Sequence, residues 1–282
     1  MKDLAGRVAV VTGGGSGIGR GMVLAFAEAG MKVVISDIDI EAAGSVCGEV
    51  QKLGSAALAL RVDVSRRDDV QALADRVWRE FGGAHLLCNN AGVTTFGLMC
   101  DGISDADWRW VLSVNLEGAI NGLQAFLPRM RELEGEKHVV HTASTAGVGP
   151  SPLVAPYAAS KHGLVGISET LRIEGAQHGI SCSVLCPSAV STRIVESERN
   201  RHAEFGGPRQ GVSNEGIATH TATVGLDPLW VGRMVRQAVI DDLPFIFTHA
   251  DTRALVDARY QAMLESFEWA AQWAAANPEE TA

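Results

Sequence analysis

Short apolar runs alternate with longer segments of helical spacing along nearly the whole chain, and this alternation constrains the fold more than any other feature. Apolar runs of this kind are typical of parallel strands that are buried on both faces. Each strand–helix–strand repeat predicts a βαβ unit, and right-handed crossovers place the helices on both faces of one sheet. We therefore predict an α/β fold with a Rossmann-type, doubly wound parallel sheet of about seven strands. The runs are Arg7–Val11, Lys32–Ser36, Ala57–Val62, His85–Asn89, Lys137–Thr142, Ser181–Cys186 and Phe245–Thr248.

The helical segments define the rest of the predicted architecture. The chain has 282 residues, 46% of them hydrophobic, and no proline- or serine-rich linker, so we predict one domain over 1–282. The polar segment 193–226 has weak periodicity and is expected to be a substrate lid, and 277–282 a frayed tail. Helices are expected at Gly19–Gly30, Glu41–Leu53, Asp68–Phe81, Asp105–Arg131, Asp227–Asp241 and 250–276.

Composition argues against several classes of function. Lys and Arg number 24 against 33 Asp and Glu, a net charge of −9, so neither nucleic acid nor an anionic membrane is expected as partner. The chain contains no uncharged apolar stretch of about 18 residues, so no membrane span is expected. The charged N-terminus is not typical of a signal peptide. The five cysteines lack metal-ligand spacing, so we expect no metal and a reduced, cytoplasmic protein.

A glycine-rich turn joins the first predicted strand to the first helix. Its spacing is G-x-x-x-G-x-G, which lets backbone N–H groups approach a pyrophosphate at the positive end of a helix. Its position at the carboxyl end of a parallel strand is where open α/β sheets bind ligands. We predict a dinucleotide site that includes Gly13, Gly15, Ser16, Gly17, Ile18 and Gly19.

Asp37 ends the second strand, where a carboxylate can accept hydrogen bonds from both hydroxyls of an adenosine ribose. It would also repel a 2′-phosphate, and neither Ser16 nor Ile38 supplies a cation, so the site is predicted to prefer NAD over NADP. The alternative is an ordinary helix-capping aspartate. Further along the expected dinucleotide lie Asp63 and Val64, after the third strand, and Asn90, Ala91 and Gly92, after the fourth.

Tyr157 and Lys161 are four residues apart on a predicted helix and therefore share one face. A nearby ammonium is expected to lower the pKa of the tyrosine, which makes Tyr157 a candidate general base for an alcohol and general acid in reverse. Ser144 follows the fifth strand and could bind the substrate oxygen. Asn115 interrupts an apolar helical segment, and a local kink holding water is one way to satisfy its amide.

Together these motifs resemble the short-chain dehydrogenase/reductase family in its single-domain branch, across roughly Ala5–Thr192. The resemblance implies a catalytic tetrad. Tyr157 would exchange the proton, Ser144 would position the substrate oxygen, and Lys161 would hold the nicotinamide ribose. The main-chain carbonyl of Asn115 would hold a water that relays protons to Lys161. The matching pieces are Thr12–Gly19, Asp63, Asn89–Gly92, Asn115, Ser144, Tyr157, Lys161 and Pro187–Thr192.

The resemblance also places Pro187, Ser188, Val190 and Thr192 at the nicotinamide end, with Thr192 on the carboxamide. The family usually has glycine where this chain has Ser188. If that position needs a positive φ, serine is strained there. Relatives commonly pair as dimers or tetramers, so a homodimer or homotetramer is implied.

The ending of the chain, together with Asn121–Met130 and the stretch around Ile194–Asn200, is similar, more loosely, to the NAD-dependent Cα-dehydrogenases of lignin-type aryl ethers. This resemblance favours a bulky, apolar secondary alcohol, in a pocket formed by 94–96, 148–154, Ser188 and the lid. Trp108 and Trp110 are expected to serve packing. The lid arginines Arg199, Arg201 and Arg209 could meet an acidic substrate, but exposed loop arginines are the favoured interpretation.

The leading hypothesis is an NAD-dependent oxidoreductase that interconverts a secondary alcohol and a ketone. One alternative is an NADPH-type ketone or 3-oxoacyl reductase, which ordinarily carries basic residues near position 38. The other, from a different class, is a non-catalytic NAD-binding sensor, which typically lacks the tyrosine or the lysine.

Overall fold

The computed structural model describes residues 1–209, 216, 219 and 223–278. Its seven strands form one parallel sheet in the order β3-β2-β1-β4-β5-β6-β7, which confirms the predicted doubly wound sheet. The strands are β1 (Val8–Thr12), β2 (Lys32–Asp37), β3 (Ala57–Arg61), β4 (Leu86–Asn89), β5 (Lys137–Thr142), β6 (Ile180–Cys186) and β7 (Phe245–Phe247).

The helices follow the predicted order, with one change of form. The segment predicted as a single helix over Asp105–Arg131 is divided by a π-helical turn at Ser113–Glu117. The α-helices whose bounds the structure describes are α1 (Gly17–Glu28), α2 (Ile40–Lys52), α3 (Arg67–Phe81), α4 (Asp105–Leu112), α5 (Gly118–Met130), α6 (Ala155–Gly175), α7 (Pro228–Asp241) and α8 (Arg253–Ala276). Within the described residues, no helix is both long enough and apolar enough to cross a membrane.

The chain divides into two compact units, Met1–Thr248 and His249–Ala282. The first contains the whole sheet, and the second consists mainly of the 24-residue helix α8. The single domain over 1–282 remains a prediction. Of the predicted lid, residues 210–215, 217–218 and 220–222 lie outside the described residues, as do 279–282 of the tail.

Both faces of the sheet are buried, which explains the unbroken apolar runs. In β1, Ala9 and Val11 face one hydrophobic core, whereas Val8 and Val10 face the other. The first core includes residues of α1 and α7, and the second includes residues of α3 and α5. Because helices cover both faces of the sheet, a ligand can reach the sheet at the ends of the strands.

Helices α1 and α7 approach so closely that their contact requires glycine. A Cβ atom added to Gly21 would overlap the carbonyl oxygen of Pro228, and one added to Gly232 would overlap the carbonyl oxygen of Gly21. This contact packs α7 against the helix that follows the glycine-rich turn.

We therefore expect Gly21→Ala to lower the free energy of unfolding by more than about 2 kcal/mol, because the backbones must move apart. Gly44→Ala is the matched control, since Gly44 lies inside α2 with nothing within 4 Å of an added Cβ. That change should raise the free energy of unfolding by about 0.5–1 kcal/mol. Denaturant unfolding of both variants measures this, and equal effects would contradict the close contact.

Candidate active site

A cavity of about 520 Å³ opens at the carboxyl ends of the strands. It collects residues that are far apart in the sequence but follow neighbouring strands, as expected for a parallel sheet. Of the predicted site residues, Gly15 and Asn115 do not line the cavity. Those that line it are Gly13, Ser16, Gly17, Ile18, Gly19, Asp37, Ile38, Asp63, Val64, Asn90, Ala91, Gly92, Ser144, Tyr157, Lys161, Pro187, Ser188, Val190 and Thr192.

The glycine-rich turn contains a position that requires glycine. Gly17 has a φ of +51°, and a Cβ there would lie 2.9 Å from the Thr192 side chain. Ser16 is the N-cap of α1, yet its side chain makes no capping hydrogen bond, and the first turn contains no acidic residue. The first backbone N–H groups of α1 therefore have no side-chain cap and suit an anion.

Asp37 is held by backbone N–H groups at the edge of this turn. Its Oδ2 accepts from the Gly15 N–H at 2.9 Å, and its Oδ1 accepts from the Asp39 N–H at 3.0 Å. The helix-capping role that was the alternative for Asp37 belongs to Asp39, which accepts from Glu41 and Ala42 at 3.1 and 3.0 Å. Gly15 thus serves the site by orienting the Asp37 carboxylate.

Asn90 joins three strand ends. Its Nδ2 donates to the carbonyl oxygens of Thr12 (2.9 Å) and Gly13 (3.3 Å), and its Oδ1 accepts from the Thr142 hydroxyl at 3.1 Å. These bonds connect the ends of β1, β4 and β5. The side chain of Asn90 therefore shapes the cavity wall.

The Asp63 carboxylate is hydrogen-bonded mainly within its own loop. Its Oδ1 accepts from the backbone N–H and the hydroxyl of Ser65, at 3.0 and 2.6 Å. Its Oδ2 lies 3.6 Å from Nδ1 of His202. Contact between Asp63 and an adenine amino group remains a prediction.

The interruption predicted at Asn115 takes the form of the π-helical turn. The Asn115 side chain accepts from the Val93 N–H at 2.8 Å and donates to the Val93 carbonyl at 2.9 Å. It also donates to the Ser160 hydroxyl at 3.1 Å. Asn115 thereby connects the segment after β4 to α6, next to Lys161, while the water on its main-chain carbonyl remains a prediction.

Ser144, Tyr157 and Lys161 lie together in the cavity. Lys161 Nζ donates to the Thr142 carbonyl at 2.7 Å and lies 5.2 Å from the centroid of the Tyr157 ring. Tyr157 is hydrogen-bonded to Ser144, whose hydroxyl also accepts from the Ala146 N–H at 3.1 Å. A hydroxyl, a phenol and an amine thus lie together in one cavity.

Burial sets the ionisation of this group. It raises the pKa of Tyr157, although the hydrogen bond with Ser144 lowers it in part. Burial also lowers the pKa of Lys161 to about 7. The expectation that Lys161 lowers the pKa of Tyr157 stays a prediction, because burial is the largest influence on the pKa of each group.

Ser188 does not have the positive φ that would strain a serine. Among the described residues, the non-glycine positions with positive φ are Leu153 and Asp242. The Ser188 N–H instead donates to the Thr248 hydroxyl at 3.2 Å. A serine therefore fits this position without a left-handed backbone.

The cavity also has an apolar wall. The predicted segments 94–96 and 148–154 contribute Thr94, Phe96, Ser151 and Val154. Trp110 is 1% exposed and packs in a core cluster as predicted, but it also lines the cavity, which the sequence analysis missed. The sequence pattern that could have placed Trp110 in the cavity is its helical spacing from Val114. Val114 follows it by four residues and lines the same wall. The wall also includes Val93, Ile194, Val195 and Phe205.

The lid arginines differ from one another. Arg201, expected in an exposed loop, has a side chain that is only 2% exposed and pairs with Asp107 at 2.5 Å. That expectation is wrong because a fully buried carboxylate distant in sequence attracts Arg201. Arg209 pairs with the same carboxylate at 3.0 Å, whereas Arg199 lines the cavity and donates to the Arg193 and Glu196 carbonyls at 3.0 and 2.8 Å.

Comparison with known proteins agrees with this geometry. The sequence model for short chain dehydrogenases matches residues 7–203, more than half of the chain. The chain belongs to the short-chain dehydrogenase family. Within that match lie the glycine-rich turn and the Ser144, Tyr157 and Lys161 group.

Several short-chain dehydrogenases are similar to it over most of its length. A C alpha-dehydrogenase of Sphingobium sp. (strain NBRC 103272 / SYK-6) is 34% identical over 94% of this chain and 88% of its own. A cyclohexanol dehydrogenase of Acinetobacter sp. (strain SE19) is 33% identical over 67% of this chain and 75% of its own. The crystal structure of a short chain dehydrogenase/reductase from Burkholderia phymatum in complex with NAD is 34% identical, with a TM-score of 0.89, over 94% of this chain and 97% of that one.

Proposed function

We propose that this short-chain dehydrogenase is an NAD-dependent oxidoreductase that interconverts a secondary alcohol and a ketone. The observation that carries the proposal is the convergence of Ser144, Tyr157 and Lys161 on the cavity that also contains the glycine-rich turn and Asp37. The uncapped start of α1 and the close approach at Gly17 fit a pyrophosphate. When bound, NAD supplies the hydride acceptor.

The side chains of Tyr157, Ser144 and Lys161 would carry out the proton transfer. In oxidation, Tyr157 as phenolate accepts the proton of the alcohol hydroxyl, and in reduction its phenol returns a proton to the ketone oxygen. The Ser144 hydroxyl donates a hydrogen bond to that oxygen. The Lys161 ammonium would stabilise the phenolate, and the burial of Lys161 strengthens the attraction between the two charges.

Asp37 supports NAD rather than NADP. Its carboxylate has a fixed orientation and would repel a 2′-phosphate, and Ile38 beside it carries no charge. The structural relative from Burkholderia phymatum, which is in complex with NAD, supports the same choice. An NADPH-type ketone or 3-oxoacyl reductase is therefore the less favoured alternative.

The substrate is proposed to be bulky and apolar. The wall that includes Phe96, Trp110 and Phe205 offers aromatic surface in the same cavity that Tyr157 lines. The names of two relatives, a C alpha-dehydrogenase and a cyclohexanol dehydrogenase, support dehydrogenation of an alcohol. A non-catalytic NAD sensor is disfavoured because Asn115, Ser144, Tyr157 and Lys161 are all present.

The proposal is tested by NADH formation, followed by absorbance, with aryl-glycerol ethers, steroids, terpenoid alcohols and small diols. We expect turnover with NAD for at least one bulky alcohol. Tyr157→Phe should lose at least about a hundredfold in kcat, because no group exchanges the proton, while its Kd for NADH changes by less than about twofold. Full activity of Tyr157→Phe would remove Tyr157 from this role, and NADH binding without any turnover would favour the sensor.

Coenzyme choice has its own test. Asp37→Ala should lower the preference for NAD, measured as kcat/KM with NAD divided by kcat/KM with NADP, by about tenfold or more. The reason is that the repulsion of the 2′-phosphate by the carboxylate is lost. Arg199 lines the same cavity and would then attract that phosphate. Asp37→Ala combined with Arg199→Ala should therefore gain less activity with NADP than Asp37→Ala alone. An unchanged ratio in Asp37→Ala would contradict the role given to Asp37.

We also infer a homodimer or homotetramer in the cytoplasm. No residue of α8 is buried, and its exposed apolar side chains include Tyr260, Leu264, Phe267 and Trp269. A second copy is the usual cover for such a surface. The five cysteines are free, as expected in a reducing compartment. Light scattering should give a mass of at least two chains, and a monomer at micromolar concentration would contradict the inference.

A further inference from the structure

Four charged side chains form a network that joins α4 to the segment 194–209. Asp107 is fully buried, and its Oδ1 and Oδ2 accept from Arg201 Nη1 at 2.5 Å and Arg209 Nη1 at 3.0 Å. Glu198 Oε1 lies 3.4 Å from Nη1 of Arg201 and from Nη2 of Arg209. Two positive charges therefore balance two negative ones.

Asp107 is fixed at the start of α4. Its Oδ2 also accepts from the Ser104 N–H at 2.7 Å and the Ser104 hydroxyl at 2.8 Å, and its own N–H donates to that hydroxyl at 3.2 Å. This capping box orients the carboxylate from the helix side. The segment 194–209 must therefore adapt to Asp107, rather than the reverse.

Arg201 transmits this constraint to the cavity. Its Nε donates to the Phe205 carbonyl at 2.9 Å, and its guanidinium lies 5.2 Å from the centroid of the Trp110 ring. Phe205 packs against the buried cluster of Val93, Trp110 and Val111, and it lines the cavity. The same arginine thus binds Asp107 and positions the backbone of a wall residue.

The energetics favour a positioning role over simple stabilisation. Removing a charge from water is costly, so a buried ion pair often adds little net stability. The side chains of Arg201 and Asp107 are 2% and 0% exposed, so leaving either of them unpaired is strongly disfavoured. Conformations of the segment that keep Arg201 bound to Asp107 are therefore favoured.

We propose that Asp107 and Arg201 are positioning residues for the substrate side of the cavity, and that they act by fixing Phe205 as a wall against the alcohol's bulky substituent. This inference rests on the proposed function. Neither residue reaches the reacting atoms; Arg201 acts through Phe205.

A double-mutant cycle tests this, with Arg201→Lys, Phe205→Ala and the double variant. Lysine keeps the charge but cannot bind Asp107, Glu198 and the Phe205 carbonyl as a planar fork. Arg109→Lys is the matched control, because Arg109 lies on α4 in an exposed pair with Asp105. Diphenylmethanol and isopropanol are the bulky and small probes. Asp107→Asn replaces Arg201→Lys if the latter does not fold.

We expect Arg201→Lys to raise KM for diphenylmethanol about tenfold, with KM for isopropanol and Kd for NADH within about twofold. In the Phe205→Ala background, Arg201→Lys should raise KM no further, because the Phe205 side chain through which Arg201 acts is already absent. Additive effects, or equal effects on both alcohols, would overturn the proposal.

A second readout does not depend on turnover. Thermolysin should cleave within 193–209 faster in Arg201→Lys than in the wild type or Arg109→Lys, because the segment opens more often. Equal cleavage would overturn the network's role. If the wild type oxidised neither these two alcohols nor any alcohol of the panel above, the proposed function would be at fault, and proteolysis would still decide for or against the network.

Discussion

The parallel register of the sheet is the constraint on which the site depends. Thr12 pairs with Ser36, and Thr142 pairs with Leu185, so strands that are distant in sequence end at the same edge. The strands β1, β4 and β5 are buried on both faces, and functional side chains are therefore found where the strands stop. The bonds of Asn90 to the ends of β1 and β5 hold this edge together.

Burial affects the ionisation of the two side chains that the proposed chemistry needs. Tyr157 and Lys161 each lose hydration in the cavity, so that both favour their neutral forms. The Tyr157 phenolate and the Lys161 ammonium therefore stabilise each other, and a phenolate beside a neutral Lys161 would be costly. The Lys161 bond to the Thr142 carbonyl holds the amine in place beside the phenol.

Local pattern was sufficient to predict much of this molecule. The apolar runs identified all seven strands, and the glycine spacing identified the turn before α1, because both depend on neighbours in sequence. The burial of Arg201 was not predictable in that way, since its partner Asp107 is 94 residues away. The backbone at Ser188 and the pKa of Tyr157 likewise depend on tertiary surroundings that no short motif specifies.

The most direct test of the account is a crystal structure of this short-chain dehydrogenase with NAD. The account predicts the Asp37 carboxylate within about 3 Å of both adenosine ribose hydroxyls. It also predicts Lys161 Nζ hydrogen-bonded to the nicotinamide ribose, with the Tyr157 hydroxyl facing the substrate side. An adenosine ribose away from Asp37, or a nicotinamide ring remote from Tyr157, would contradict the central claim.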